Sequence, residues 1–378
     1  MTKRANGEGS VYRRGDGRWS GALSYVDRSG VRKRHVEYGP TQKDVRDKLK
    51  AARERLDGGS PVRDAKVTLA AYVEHWITTT LAASDRKGST KQLYAGLART
   101  HLCPAPLGAL PLDRLRASDV EALVHRKRQE GKAGSTIRQI YTVLRAVLDT
   151  AVRDELLARN PATVVKRPAV ERREAHYLTT DQVRTLVAGI ADDRLRALYL
   201  LLLGTGLRRG EALAAGWDDL DLEDGQIRVR GTLSRVGGEL VITEPKTDKS
   251  RRVVPIPQPV LVELRAHRVR QLQERLHAGS EWREHGLVFC SHTGTPLDPR
   301  NALRSLQTIA VRVGLPGVGL HTLRHSAASA LISAGVHMKV VQGVLGRSSY
   351  AITADVYAHV GVTQQRDAAD RLAEAFGW

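Results

Sequence analysis

Three short runs in this 378-residue chain place cations beside polar donors at spacings that suit phosphate chemistry. GTGLRRGEAL supplies Arg208, Arg209 and Glu211, TEPKTDKSRR supplies Lys246, and HTLRHS supplies His321, Arg324 and His325. Two arginines, a lysine and a histidine could hold one phosphate. A guanidinium fork matches two phosphate oxygens at once, and an ammonium adds a point charge and a proton. Glu211 follows Arg208 by three residues, close enough on a helix to orient it. A fourth run, LGRSSYAITADVYAHV, carries Tyr350 and Tyr357 seven residues apart. On a helix that is two turns with a drift of about 20°, so the pair could share a face. Taken alone, such a pair reads as core or rim, and an Arg-Arg step at a helix end reads as solvated surface.

Other chemistries are poorly provided for. There is no G-x-x-x-x-G-K-[ST] phosphate loop, and the glycines of GTGLRRG have the wrong spacing for a dinucleotide fingerprint. His321 and His325 are four apart in HTLRH, but the Glu of H-E-x-x-H is missing. Cys103 and Cys290 are far apart and lack ligand spacing, which suggests neither zinc nor a disulfide framework. No acidic cluster suggests a two-metal nuclease. The expectation is a site without metal or cofactor.

The elements that must position these groups fall into three segments. In residues 1–60, SVYRR, RWSGALSYV and VRKRHVEY read as short strands separated by GDG and DRSG turns. TQKDVRDKLKAARERL then reads as a helix capped by Thr41 and ended by Gly58-Gly59. The strands carry Arg13, Arg14, Arg18, Arg32, Lys33 and Arg34, a basic face that could lie in a DNA groove or simply protect an edge. After a GGSPVRDAK linker, residues 61–170 read as an all-α bundle. Its helices begin after Thr68 and at expected caps Ser89, Ser118 and Ser135, and Arg126, Lys127 and Arg128 form a basic patch. Residues 171–378 read as mainly helical α+β. LTTDQVRTLVAGI and the buried LRALYLLLLG are helices there, GQIRVRG, ELVITEPKTDKSRRVVPIP and GLVFCS are short β pieces, and Lys246 falls on what looks like a hairpin turn. The fold class is therefore multidomain: a small β-sheet-plus-helix domain, a helical bundle, and a mainly helical α+β domain.

The formal charge of +19 calls for a polyanionic partner. It is uneven: net +7 over residues 1–60, +8 over 61–170 and only +4 over 171–378. The first two segments therefore look like nucleic-acid grips, and the arginines of the third need a local explanation. No run is long enough for a membrane span, and MTKRANGEGS has no apolar signal region, so an intracellular setting is expected.

Read in order, T-G-L-R-R-G-E, P-K-T, H-T-L-R-H-S and L-G-x-S-S…D-V-Y-A-H resemble the tyrosine recombinase family, of the phage-integrase type. The four motifs run from Thr205 to His359, and their joint order is highly specific. The first two segments are similar to that family's arm-type and core-binding DNA-binding domains in layout more than in motif. The resemblance implies a site-specific recombinase of a mobile element, acting on double-stranded attachment sites as a homotetramer, with DNA-bending or directionality proteins as further partners. It implies a cytoplasmic, nucleoid-associated enzyme and a tail after Thr363 that docks on the neighbouring protomer. It makes Tyr357 the nucleophile that forms a 3′-phosphotyrosyl bond, Arg208 and Arg324 the phosphate clamp, and Glu211 an orienting group. Lys246 becomes the proton donor to the departing 5′-oxygen, and His321 assists proton transfer or hydrogen-bonds the phosphate. Tyr350 becomes a packing or DNA-facing residue. A free tyrosine has a pKa of about 10, so about one in a thousand is phenolate at pH 7. Clustered cations favour the anion and the charge that builds on the phosphorus oxygens.

One position departs from the pattern. The family has His, or sometimes Trp, where this chain has Arg347. An arginine still donates to a phosphate oxygen but is no base at neutral pH. The competing readings are a topoisomerase-like relaxing enzyme and a DNA-binding regulator with a decayed site. If Arg347 is a plain phosphate donor, Arg347→His retains strand cleavage; a gel assay showing cleavage lost in that variant would give the arginine a role of its own.

Overall fold

The computed structural model describes residues 10–26, 32–57, 67–171, 176–244 and 251–346. The chain divides into two compact units, Met1–Glu171 and Arg172–Trp378.

The first unit opens with an antiparallel sheet of β1 (Ser10–Arg13), β2 (Trp19–Val26) and β3 (Arg32–Gly39), in that order. The helix α1 (Gln42–Asp57) is capped as expected, with the Asp44 amide donating to the Thr41 hydroxyl at 3.1 Å. Val45, Leu49 and Ala52 of α1 pack on Leu23 of β2. The approach is close because residue 21 is glycine: a Cβ there would meet Leu49 at 2.6 Å and Val45 at 2.7 Å. Register then sorts the basic residues. Tyr25 pairs with Lys33 and Leu23 with His35, so Lys33 shares the helix-facing side while Arg32 and Arg34 point away from it. The DRSG turn lies outside the described residues.

The helical part of this unit holds α2 (Leu69–Trp76), α3 (Gly88–His101), α4 (Ala117–Gln129) and α5 (Gly134–Arg153). Thr68 caps α2 by accepting from the Ala71 amide at 3.3 Å. The other three expected caps are corrected. Ser89, Ser118 and Ser135 all lie one residue inside their helices, whose N-caps are Lys87, Arg116 and Ala133. At α4 the capping is done by Asp119, whose carboxylate accepts from the Arg116 amide at 2.8 Å. After Trp76 the second helix widens into a π turn over Ile77–Leu81. The stripe Ile137, Ile140, Tyr141, Leu144, Leu148 and Ala151 on α5 is buried, and from Ile140 onward it shares one core with Trp76, Leu112 and Leu123.

The second unit is mainly helical α+β. Its helices are α6 (Thr180–Gly189), α7 (Arg196–Thr205), α8 (Arg209–Ala214), α9 (Gln258–Ala278), α10 (Pro299–Arg312), α11 (Leu320–Ser333) and α12 (Met338–Leu345). Between α8 and α9 run β4 (Leu220–Asp221), β5 (Gln226–Val229), β6 (Thr232–Val236), β7 (Glu239–Thr243) and β8 (Arg252–Pro255). They form a β4-β5-β8 sheet and a separate β6-β7 pair. β7 pairs with β6 and β8 with β5, so the two strands that flank Lys246 are not partners of each other, and the turn expected at Lys246 itself lies outside the described residues. GLVFCS makes only isolated bridges, through Leu287 to Gly216 and through Cys290 to Pro296, while TLSRV, unremarked in the sequence, is a strand. Leu198, Tyr199, Leu201 and Leu202 of α7 are fully buried and share a core with Leu320 and Leu323 of α11. Among the described residues no helix is long and apolar enough to cross a membrane.

In the bundle, the buried Tyr141 hydroxyl donates to the Ala162 carbonyl at 2.7 Å and lies 3.2 Å from that of Val165. Tyr141→Phe leaves both carbonyls without that donor and lowers local stability by about 1–3 kcal/mol. Hydrogen exchange of the α5 amides reads this directly; unchanged protection would mean the bond holds nothing in place.

Candidate active site

The cation cluster assembles around the last turn of α12. A helix end leaves carbonyls without intrahelical partners and carries partial negative charge. Three arginines from three other elements meet these carbonyls. Arg252 of β8 donates from Nε to Val344 at 2.9 Å, Arg324 of α11 from Nη2 to Leu345 at 2.7 Å, and Arg208 from Nη2 to Gly346 at 2.8 Å. Arg324 also donates from Nη1 to the carbonyl of Gly206, the residue that ends α7, at 2.6 Å. It is buried, as a core residue of α11 would be.

Glu211 ties the other two arginines together. Its Oε2 accepts from the Arg208 amide at 2.9 Å, which caps α8. Its Oε1 accepts from Arg208 Nη1 at 2.7 Å, and Arg252 Nη2 donates to Oε2 at 3.0 Å. Burial alone would raise the Glu211 pKa, but bonds and charge from Arg252 and then Arg208 outweigh it and hold the carboxyl below the ordinary range. Arg208 keeps 39% of its side chain exposed against 6% for Glu211, so the guanidinium is held from behind and open in front. His321 lies one turn before Arg324 with its side chain exposed. Desolvation by its surroundings, then the charges of Arg209, Arg324 and Arg208, push its pKa below the ordinary imidazole value. Because the ring is exposed, the charges are the part an arriving phosphate would cancel, and cancelling them would raise its basicity.

The sequence reading thus finds Arg208, Glu211, His321 and Arg324 brought together. Lys246, Arg347, Tyr350 and Tyr357 lie outside the described residues. The chain on either side of Lys246 is joined by an ion pair from Arg251 to Glu244 at 2.9 Å. Arg252 was missed. The signal was present: it stands two before the buried Val254 on a strand, so it points inward, and an inward arginine needs a buried acid. Among the described residues no group of three or more His, Cys, Asp or Glu is placed to hold a metal ion. A groove lined by Asp193, Arg304, Ser305 and Arg312 shares no residue with the cluster.

The other basic residues are dispersed. Arg13, Arg14, Arg18, Arg32 and Arg34 are exposed, and Arg14 lies over the Tyr38 ring at 5.4 Å. Lys33, on the helix-facing side of the sheet, is paired with Glu155 at 2.8 Å. On α4, Arg128 is exposed and Arg126 half-buried. Lys127 is turned inward, 8% exposed, and paired with Glu130 at 2.8 Å, so of the three it is the least open to a ligand.

The fold has known counterparts. The Tn1549 transposon integrase in complex with transposon right end DNA superposes with a TM-score of 0.68 at 24% identity, covering 81% of this chain and 99% of that one. A lambda integrase dimer bound to a COC′ core site gives 0.57 at 17% identity, covering 96% and 98%. The fold is that of the tyrosine-type integrases. In sequence, a tyrosine recombinase XerC-like protein of Caldanaerobacter subterraneus is 31% identical over 93% of this chain and 94% of its own. An integrase of Saccharopolyspora erythraea is 26% identical over 99% and 98%. The phage integrase family profile matches residues 176–364. The chain belongs to the phage integrase family and is an enzyme of the tyrosine recombinase class.

Gly346 makes the carbonyl cradle possible. Its φ of 59° is left-handed, and a Cβ on it would fall 2.6 Å from Arg252 Nη1 and 2.7 Å from Cζ. The backbone strain alone is about 1–2 kcal/mol. Gly346→Ala therefore lowers Tm by at least about 2–4 °C in calorimetry. An unchanged Tm would mean that residue 346 is not held in the left-handed conformation in solution.

Proposed function

We propose that this chain integrates or excises a mobile element by cutting and rejoining double-stranded attachment sites through a 3′-phosphotyrosyl intermediate. The observation that carries the reading is the convergence just described. Arg208 and Arg324, 116 residues apart, both grip the α12 end, and the chain leaving that end leads to Arg347 and, eleven residues past Gly346, to Tyr357.

In this reading the two arginines hold the non-bridging oxygens of the scissile phosphate, with Glu211 fixing Arg208. The Tyr357 oxygen attacks phosphorus as its proton passes to His321 or to solvent, the bond to the 5′-oxygen breaks, and Lys246 gives that oxygen its proton. His321 hydrogen-bonds the phosphate or relays a proton, and Arg347 adds a donor. The tyrosyl ester keeps the phosphodiester energy, so a 5′-hydroxyl of another strand can reverse the step and restore tyrosine. Charge stabilisation by positioned donors of this kind is worth about 10²–10³ in rate for each donor.

The remaining assignments follow the same reading. Residues 1–60 are an arm-type DNA-binding domain, with Arg13, Arg14, Arg18, Arg32 and Arg34 towards DNA. Residues 61–170 are the core-binding domain with Arg126 and Arg128, and residues 171–378 are the catalytic domain. Lys33 and Lys127 would reach DNA only by leaving their acidic partners. Four copies assemble on paired sites, with accessory bending or directionality proteins, in the cytoplasm on the nucleoid.

The test uses a nicked trapping duplex from the DNA flanking the gene, with wild type, Tyr357→Phe and Tyr350→Phe. A denaturation-resistant adduct lost only in Tyr357→Phe is expected. Loss only in Tyr350→Phe would reassign the nucleophile. Tight specific binding without any adduct would replace the recombinase by a DNA-binding regulator.

A further inference from the structure

Arg252 has no part in the reaction as described, yet it touches both Glu211 and the end of α12. It opens β8, six residues after Lys246. Its Nη2 donates to Glu211 Oε2 at 3.0 Å, its Nη1 lies 3.4 Å from Oε1, and its Nε donates to the Val344 carbonyl at 2.9 Å. Gly346 packs against its guanidinium plane. Only 9% of the side chain is exposed, so it is not a surface open to the DNA backbone.

On the recombinase reading above, we infer that Arg252 is a positioning residue for strand cleavage. It sets the distance between the phosphate-holding Arg208 and the chain end from which the nucleophile segment departs. One edge of its guanidinium fixes Glu211, and Glu211 fixes both the amide and the side chain of Arg208. The Nε edge fixes Val344, one residue before the carbonyl taken by Arg324 and two before that taken by Arg208. One rigid, planar group thus adds a link between Glu211 and the α12 end beside the bond that Arg208 itself makes to Gly346.

Lysine cannot do this. Its ammonium is a point donor on a flexible stem and cannot hold a carboxylate and a carbonyl in fixed relation. Near-attack geometry is sensitive to such loosening: a misplacement of about 1 Å costs about 10²-fold in rate.

The experiment is single-turnover adduct formation on the trapping duplex at saturating protein, with duplex affinity and Tm measured alongside. The set is wild type, Arg252→Lys, Arg252→Met, Glu211→Gln and the Glu211→Gln/Arg252→Lys double variant. Arg252→Lys is expected to bind the duplex within about threefold of wild type and to cleave about 10²-fold more slowly. The double variant should cleave no more slowly than its slower parent, because both changes break one linkage. Arg252→Met guards against a lysine that finds a new partner and should show the same split between rate and affinity. Cleavage by Arg252→Lys within threefold of wild type would overturn the inference. So would duplex affinity falling in step with rate, or multiplying effects in the double variant. An absent adduct in wild type would instead overturn the recombinase reading itself.

Discussion

A buried carboxylate is what allows this site to exist. Arg208 and Arg252 converge on the two oxygens of Glu211, with Arg324 close by on the same helix end. Two unit charges about 4 Å apart repel by about 4 kcal/mol at an effective dielectric of 20. A phosphate site needs cations close together, and without DNA nothing but protein can offset that repulsion. Glu211 supplies one negative charge, 7% exposed, where it meets two guanidiniums at once. Removing one partner from such a buried set costs about 3–5 kcal/mol, because the others are left uncompensated.

The end of α12 supplies the rest. Its carbonyls would otherwise need water or a turn, and here guanidiniums fill that need. The arrangement satisfies donors and acceptors with the same contacts and draws β8, α8 and α11 onto one point. The core behind it is stiff: Leu198, Leu201, Leu202 and Leu323 are fully buried between α7 and α11. The fold therefore offers Arg208 outward from a rigid backing.

Local chemistry was legible in the residues and long-range pairing was not. Arg208, Glu211 and Arg324 could be read because their types and spacing carry the chemistry. The stripes of α2 and α5 could be read because burial follows a 3.6-residue period. Arg252 escaped because its partners, Glu211 and Val344, are far away in sequence. The strands that flank Lys246 were legible but their partners were not: β7 pairs with β6 and β8 with the more distant β5. The serine caps failed on competition, since Asp119 was a better acceptor for the α4 start than Ser118. Of the basic runs, composition could not tell Arg34, on the open side of β3, from Lys33, on the helix side and paired with Glu155.

The gripped end of α12 also acts as a mooring. Gly346 is held by Arg208, and Tyr357 follows it by eleven residues. A chain of that length spans at most roughly 36–40 Å when fully extended. As long as the mooring holds, the Tyr357 Cα is confined to a sphere of about that radius around a point set by the protomer's own arginines. In the proposed reaction, any phosphate that Tyr357 attacks lies within that leash extended by its own side chain.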